Sequence, residues 1–325
     1  MGEGSGGLKH IGKWYKTFFL PMKKFLFTLL TLVSFIFTSC DYVNEPHPAI
    51  NANVADTASC PEPTFSVLTV HSKKILIEDF TGHTCGNCPK AAKVLHEIDS
   101  IYPGKIIGLG LHVGGYAAPT PGYNGSAPTA FLADYRTTVG TTYDVTFGAS
   151  NFGLPQGMFN RKDYDAVNQT QLKFYPNWKT YAATIIGEPA VLDLQIMTNF
   201  TTSTRKLCVA VRDSFLTTMS GTYNLTVLLT QDSIIDWQDY IGVNKSDYVH
   251  RHILRDAITP SGAWGELIAA GAMNAGTKRI KHFAYTIPAN YKGSVCDVSK
   301  CHLIAFVYNT STYEIIQSEE VKVVP

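Results

Sequence analysis

The sequence is poor in charge: charged residues make up 16% of the chain, and the formal net charge at pH 7 is only +1. No long basic run occurs outside the N-terminal segment, whereas basic patches are typical of nucleic-acid-binding proteins. We therefore expect no nucleic-acid partner. The predominantly apolar stretch from Phe25 to Phe37 is shorter than the stretch of about 20 residues that a transmembrane helix needs.

Recognisable metal-ligand patterns are also missing. His83, His96 and His112 fall in no finger or ribbon spacing, and the remaining candidates, Cys296 and Cys301, are far away in the sequence. We therefore expect neither a metal ion nor a cofactor.

The segment DYVHRHILRDA contains two histidines, His250 and His252, that could share one strand face and hold a metal. No carboxylate or third histidine follows in a recognisable pattern. A structural or partner-contacting loop, which would include Arg255, is therefore the favoured interpretation.

The N-terminal region has the pattern of an export signal. Two lysines follow Met22, an apolar stretch comes next, and small residues stand directly before Cys40. This pattern predicts a bacterial lipoprotein signal that is cleaved before Cys40, with acyl chains attached to that cysteine; an ordinary signal peptide or an anchor helix is the alternative. Translation is expected to begin at Met22, so residues 1–39 would not contribute to the fold.

A tether is predicted to follow the anchor. Residues 40–64 are rich in Asn, Asp, Ala and Pro and show no apolar periodicity. The remaining chain is longer than one hydrophobic core usually supports, which predicts two domains, at residues 65–189 and 190–325. Apart from Cys40, an even number of cysteines remains, and this is compatible with disulfides in an exported protein.

The stretch FTGHTCGNCPKAA carries the clearest chemical signal. The buried-strand pattern KILIEDF precedes Cys85, the apolar spacing from Cys88 to Ile101 predicts a helix, and KIIGLGLHV predicts a second buried strand. Cys85 and Cys88 would thus lie at a helix N-terminus, where free backbone N–H groups stabilise a thiolate. The expected roles are nucleophile for Cys85 and resolving thiol for Cys88.

The second half of the chain has a different pattern. Short alternating runs separated by turn residues, such as TYNLTVLLTQD and CHLIAFVYN, predict an antiparallel all-β sandwich of immunoglobulin-like type. Cys296 and Cys301 could close a small loop there as a structural disulfide. For Cys208, the sequence leaves open a buried free thiol or a bond to Cys60, Cys296 or Cys301.

The string D-F-x-x-x-x-C-x-x-C, from Asp79 to Cys88, resembles the thioredoxin superfamily. The resemblance implies an α/β thioredoxin-like first domain in which Asp79 accepts a proton from Cys88. It also implies a cis-proline, for which Pro155 is the candidate, whose preceding residue would pair with an extended substrate. His83-Thr84 replaces the family's tryptophan, and His83 could favour the thiolate or be an ordinary loop residue.

Residues 114–150 are expected to be an insertion that shapes or covers a cleft, with a helix near residues 130–139.

The segments EDFTGHTCGNCPKAA, GLPQGMFNR, DYVHRHILRDA and HLIAFVYNTSTYEIIQSEEVKV together resemble the outer membrane protein twenty-eight related lipoproteins of the Bacteroides group. This resemblance implies a lipid-anchored outer-membrane protein with a thioredoxin-like domain and a β-sandwich.

The leading functional hypothesis is a thiol–disulfide oxidoreductase that acts on exported protein thiols. The alternative is a non-catalytic accessory lipoprotein that binds a protein or a glycan. The sequence leaves open the membrane face, the redox direction and the oligomeric state.

Overall fold

The computed structural model describes residues 53–324. The predicted signal, the cleavage site and Cys40 lie outside this range.

The described part of the chain is mostly β, with sixteen strands and three α-helices. The helices are α1 (Cys88–Ile101), α2 (Thr138–Phe147) and α3 (Trp178–Ile185). The strands are β1 (Ile75–Thr81), β2 (Ile106–His112), β3 (Gln156–Phe159), β4 (Lys173–Phe174), β5 (Leu192–Thr201), β6 (Lys206–Phe215), β7 (Met219–Gln231), β8 (Ile234–Tyr240), β9 (Val243–His250), β10 (Ile253–Ala257), β11 (Glu266–Met273), β12 (Lys278–Thr286), β13 (Asn290–Tyr291), β14 (Ser294–Val295), β15 (Cys301–Asn309) and β16 (Ile315–Lys322). No helix among the described residues is both long and apolar enough to span a bilayer.

The N-terminal part is built on a parallel β1–α1–β2 unit. β1 and β2 pair in register from Ile75↔Ile106 onward, and β3 runs antiparallel to β1 on its other side. Both parallel strands are almost entirely buried, as expected for a sheet covered on both faces. The apolar stripe of α1 and the side chain of Trp178 in α3 cover one of these faces.

The C-terminal part contains the predicted sandwich. The sheet β12-β6-β5 packs against β7 and β15, so that alternate residues such as Leu225, Val227 and Leu229 enter the shared core. Leu228 on β7 points to the opposite face and packs with Phe147 of α2. β7 is therefore buried on both sides.

One sheet crosses the predicted domain boundary at residues 189 and 190. Its strand order is β16-β15-β7-β10-β2-β1-β3-β4, with β11 also paired to β7. The junction is the parallel contact Ile253↔Gly110, where the N–H of Gly110 donates to the carbonyl of His252 at 2.8 Å. A Cβ at Gly110 would lie 3.2 Å from the carbonyl oxygen of Arg251, so glycine permits this close approach.

The prediction of a helix near residues 130–139 is wrong. The helix begins at Thr138, because Thr137 acts as its N-cap and accepts a hydrogen bond from the N–H of Gly140. Phe131, inside the expected helix, has φ of 56°, which is not compatible with a right-handed helix. Within the predicted insertion, residues 115–137 form loops and short turns instead.

Two further expectations need correction. His250 and His252 do not share a strand face, because β9 ends at His250 and His252 lies before β10 with φ of 54°. The thiols of Cys296 and Cys301 are unbonded, with their sulfurs 3.6 Å apart, whereas the sequence suggested a disulfide. Cys208 is bonded to Cys60, which is one of the alternatives that the sequence left open.

Candidate functional site

Cys85 and Cys88 lie in the turn that connects β1 to α1. Cys88 is the first residue of α1, and Pro89 occupies its first turn, where a missing N–H costs no helical hydrogen bond. The two cysteines form a disulfide. Both are buried, with 3% of Cys85 and 2% of Cys88 exposed. The pair therefore has the position expected of a reactive dithiol, but it is covered.

Two segments cover the disulfide, and one of them is the hairpin of β8 and β9, residues 234–250. The N–H of Asp239 donates to the carbonyl of His83 at 2.8 Å, and the N–H of Ile241 donates to the carbonyl of Gly86 at 3.0 Å. Gln238 is 2% exposed, and its side-chain amide donates to the carbonyls of Gly82 and Cys85.

The other covering segment comes from the predicted insertion. Thr84 donates hydrogen bonds to the carbonyl of Tyr116 from both its backbone N–H and its hydroxyl. A Cβ at Gly82 would lie 2.6 Å from the Tyr116 backbone, so the loop can approach this closely only with glycine. The Tyr123 hydroxyl reaches the carbonyl of Thr84 and the carboxylate of Asp239. The insertion thus covers the CxxC loop and contacts the hairpin.

Asp79 lies on β1, two residues before its end, and is 4% exposed. Burial raises the pKa of its carboxyl from 3.8 to about 7, and its Oδ1 atom has no hydrogen-bond partner. The side chain faces a cavity of about 270 Å³ between the sheet, α1 and the end of β9. The walls of this cavity include Asp79, Cys88, His112, Gln238, His250 and His252. The structure therefore brings Asp79 and Cys88 to the same cavity.

Pro155 lies next to the disulfide loop in the sheet register. The Leu154–Pro155 peptide bond is cis, and the following residue, Gln156, pairs with Phe80. Pro155 is thus placed beside Thr81, where the chain leaves β1 for the CxxC loop. The expected pairing of the preceding residue, Leu154, with an extended substrate stays a prediction.

His83 is a buried loop residue. Its side chain is fully covered, its Nε2 atom lies 2.9 Å from the carbonyl oxygen of Ala118, and burial lowers the pKa of its imidazole. The ring meets Phe131 edge to face, with centroids 5.5 Å apart. A neutral imidazole offers no positive charge to a thiolate, so this geometry favours the loop-residue interpretation.

Sequence reasoning missed a buried aromatic and histidine cluster behind the loop. The ring centroids of His112 and His250 are 5.6 Å apart, and Tyr135 lies within 5.5 Å of both. Burial holds the pKa of His112 well below its usual value and lowers that of His250 to about 4. Neither ring nitrogen of His112 has a hydrogen-bond partner. Only the position of His112 at the end of a predicted strand could have signalled this cluster.

No group of three or more potential metal ligands occurs among residues 53–324. His250 and His252 both line the cavity, but neither forms part of such a group. Both histidines therefore lie beside the CxxC site.

Comparisons with known proteins give the family. The model of the family described as "Outer membrane protein Omp28" matches residues 141–325, more than half of the chain. No curated protein matches. Among solved structures, HBP35 of Porphyromonas gingivalis is similar with a TM-score of 0.57 and 16% identity, over 78% of this chain and 76% of that one. This likeness concerns the fold alone.

A domain of the outer membrane lipoprotein Omp28 from Porphyromonas gingivalis is 21% identical, with a TM-score of 0.30, over 41% of this chain and 88% of that one. The family match itself begins within α2 and covers β3 and the complete C-terminal sandwich. It agrees with the resemblance expected from the sequence and supports a location at the outer membrane. The chain therefore belongs to the Omp28 family of outer membrane proteins.

Proposed function

We propose that this protein is a thiol–disulfide oxidoreductase whose redox pair is Cys85 and Cys88. The observation that carries the proposal is the disulfide at the start of α1, beside a cavity that also contains Asp79. The parallel β1–α1–β2 unit, with Cys88 as the first residue of α1, and the position of Pro155 beside the end of β1 support a thioredoxin-like first domain.

The exchange follows from the chemistry of the pair. In the reduced protein, the Cys85 thiolate attacks one sulfur of a substrate disulfide, forms a mixed disulfide and displaces the other substrate sulfur as a thiolate. Cys88 then loses its proton to Asp79, attacks Cys85 and releases the second substrate thiolate. Two electrons pass from the protein dithiol to the substrate, and the reverse sequence oxidises a substrate dithiol.

Asp79 is suited to accept this proton. A carboxyl with a pKa of about 7 is close to the operating pH, where general-base catalysis is most efficient. Its Oδ1 atom has no competing hydrogen-bond partner. Since the cavity lies beside α1 and includes the polar side chains of Lys93 and His96, it offers a path for the proton toward solvent.

A second function, that of a non-catalytic accessory protein, is favoured by one observation. Both cysteines are almost completely buried, as those of a structural disulfide would be. In that case the sandwich and the insertion would bind a protein or a glycan.

We also propose that Cys40 carries acyl chains that hold the protein at the outer membrane. The support is the signal pattern before Cys40 together with membership in an outer-membrane family. Cys40→Ala should abolish incorporation of a labelled lipid precursor in cells and release the protein from membranes. Unchanged labelling would contradict the anchor.

Insulin reduction tests the proposed activity. The purified full-length protein with dithiothreitol should accelerate insulin precipitation, and Cys85→Ser should reduce this rate to the background, because it removes the nucleophile. Cys88→Ser should accumulate a mixed disulfide that is visible by mass spectrometry. Cys301→Ser, a matched change at a thiol outside the site, should retain turnover. No acceleration by the wild-type protein would favour the accessory function.

The free energy of unfolding should depend on pH because of the buried carboxyl of Asp79. Its pKa is raised in the folded state, so folding favours the protonated form, and stability falls as the pH rises from about 4 to about 7. Asp79→Asn removes this loss and should stabilise the disulfide-intact protein at pH 8 by up to about 4 kcal/mol, with little change at pH 4. Urea denaturation at pH 4, 6 and 8 measures the difference. Asp247→Asn, at an exposed position on β9, is the control, and a pH-independent effect of Asp79→Asn would contradict the account.

A further inference from the structure

We propose that the carbonyls of His83 and Gly86 form a binding site for an extended polypeptide substrate, and that the β8–β9 hairpin occupies this site in the protein at rest. The inference rests on the proposed function and adds to it a substrate class and a form of regulation. The hairpin would act as an internal substitute for the substrate, which must displace it to reach Cys85.

The first argument is the geometry of the backbone contacts. The N–H of Asp239, on β8, and the N–H of Ile241, at the first position of the hairpin turn with φ of 55°, donate to the carbonyls of His83 and Gly86. N–H groups two residues apart also face the same side of a β-strand, so an extended chain can present donors at this spacing. These hydrogen bonds use main-chain atoms only, so an extended segment of another sequence could make them equally well.

The second argument is the location of the contacts. The two carbonyls flank Cys85 in the sequence, at positions 83 and 86, and the hairpin leaves 3% of that cysteine exposed. A polypeptide that paired with the same carbonyls would place its own sulfur beside Cys85. The hairpin and a polypeptide substrate therefore exclude each other.

The third argument is the attachment of the hairpin to the remaining fold. It leaves the main sheet between β7 and β10, which pair with each other at Gln231↔Ile253. β8 and β9 form a separate two-stranded sheet. Ser233 and His252, at the two ends of the hairpin, have φ of 58° and 54°, and the N–H of His252 donates to Asp232 at 2.6 Å. A displacement of the hairpin about these two residues would leave the sheet at its base paired, and it would have to break the contacts of His250 with His112 and Tyr135.

The outer surface of the hairpin is consistent with a polypeptide partner. Ile235 is 69% exposed and Val243 is 55% exposed, although both belong to the paired strands β8 and β9. Exposed aliphatic side chains next to a reactive disulfide suit an unfolded or partly folded chain, in which apolar residues near cysteines are accessible.

The rate at which the phosphine TCEP reduces the Cys85–Cys88 disulfide tests whether the hairpin shields it, independently of any enzymatic activity. Gln238→Ala and Tyr123→Phe each remove hydrogen bonds between the covering segments and the CxxC loop. Each should accelerate reduction of Cys85–Cys88 in the full-length protein by about tenfold, while the Cys60–Cys208 rate stays unchanged. Tyr240→Phe is the matched control, because its hydroxyl makes no hydrogen bond to the described residues and should leave the rate as in the wild type. Equal rates in all four proteins would overturn the proposal.

The substrate class is tested with the reduced Cys88→Ser protein. Its reaction with cystamine is compared with its reaction with a disulfide-linked, unstructured peptide of about ten residues, with and without Gln238→Ala or Tyr123→Phe. Loosening the hairpin should accelerate the peptide reaction more than the cystamine reaction. Equal acceleration of both reactions would show that the hairpin only shields Cys85, and it would overturn the polypeptide-binding site. A third outcome is that neither disulfide reacts while the TCEP rates still respond to the variants. In that case the proposed exchange function fails, and the polypeptide-binding site fails with it. Only the shielding of the Cys85–Cys88 disulfide by the hairpin would then be supported.

Discussion

The buried ion pair between Glu78 and Arg161 is the constraint on which the rest of the structure depends. The Arg161 guanidinium donates to both carboxylate oxygens of Glu78, at 2.9 and 2.7 Å, and both side chains are fully buried. The same guanidinium lies 4.3 Å from the ring centroid of Tyr143 on α2 and 5.0 Å from that of Phe306 on β15. Because an unpaired buried charge costs several kcal/mol, β1, α2 and the C-terminal sheet must keep one relative position.

This constraint separates the roles of two adjacent acidic residues. Side chains alternate along β1, so Glu78 points to the arginine and Asp79 points to the opposite face of the sheet, toward α1. Glu78 has two charge-assisted hydrogen bonds, whereas burial without a partner raises the pKa of Asp79 to about 7. A firmly held strand can thus present one unpaired carboxyl to the cavity beside Cys88. The same strand therefore carries the buried ion pair on one face and the unpaired carboxyl on the other.

Local signals in the sequence predicted the local structure well. The apolar runs and the helical stripe around Cys88 predicted β1, α1 and β2, and the alternating runs of the second half predicted β7 and β15. Contacts between distant segments were not predictable in this way. The Cys60–Cys208 bond joins positions 148 residues apart, and the hairpin over Cys85 comes from residues 234–250. The Arg161 ion pair was missed because nothing near it in the sequence indicates which carboxylate it meets.

The reduction potential of the Cys85–Cys88 pair tests the central claim most directly. The full-length protein is equilibrated in glutathione buffers of graded ratio, and each cysteine pair is quantified by alkylation and mass spectrometry. A redox pair at a helix N-terminus should titrate between about −120 and −270 mV, within the range of known dithiol oxidoreductases. A potential below about −300 mV, which is typical of structural disulfides, would contradict the account.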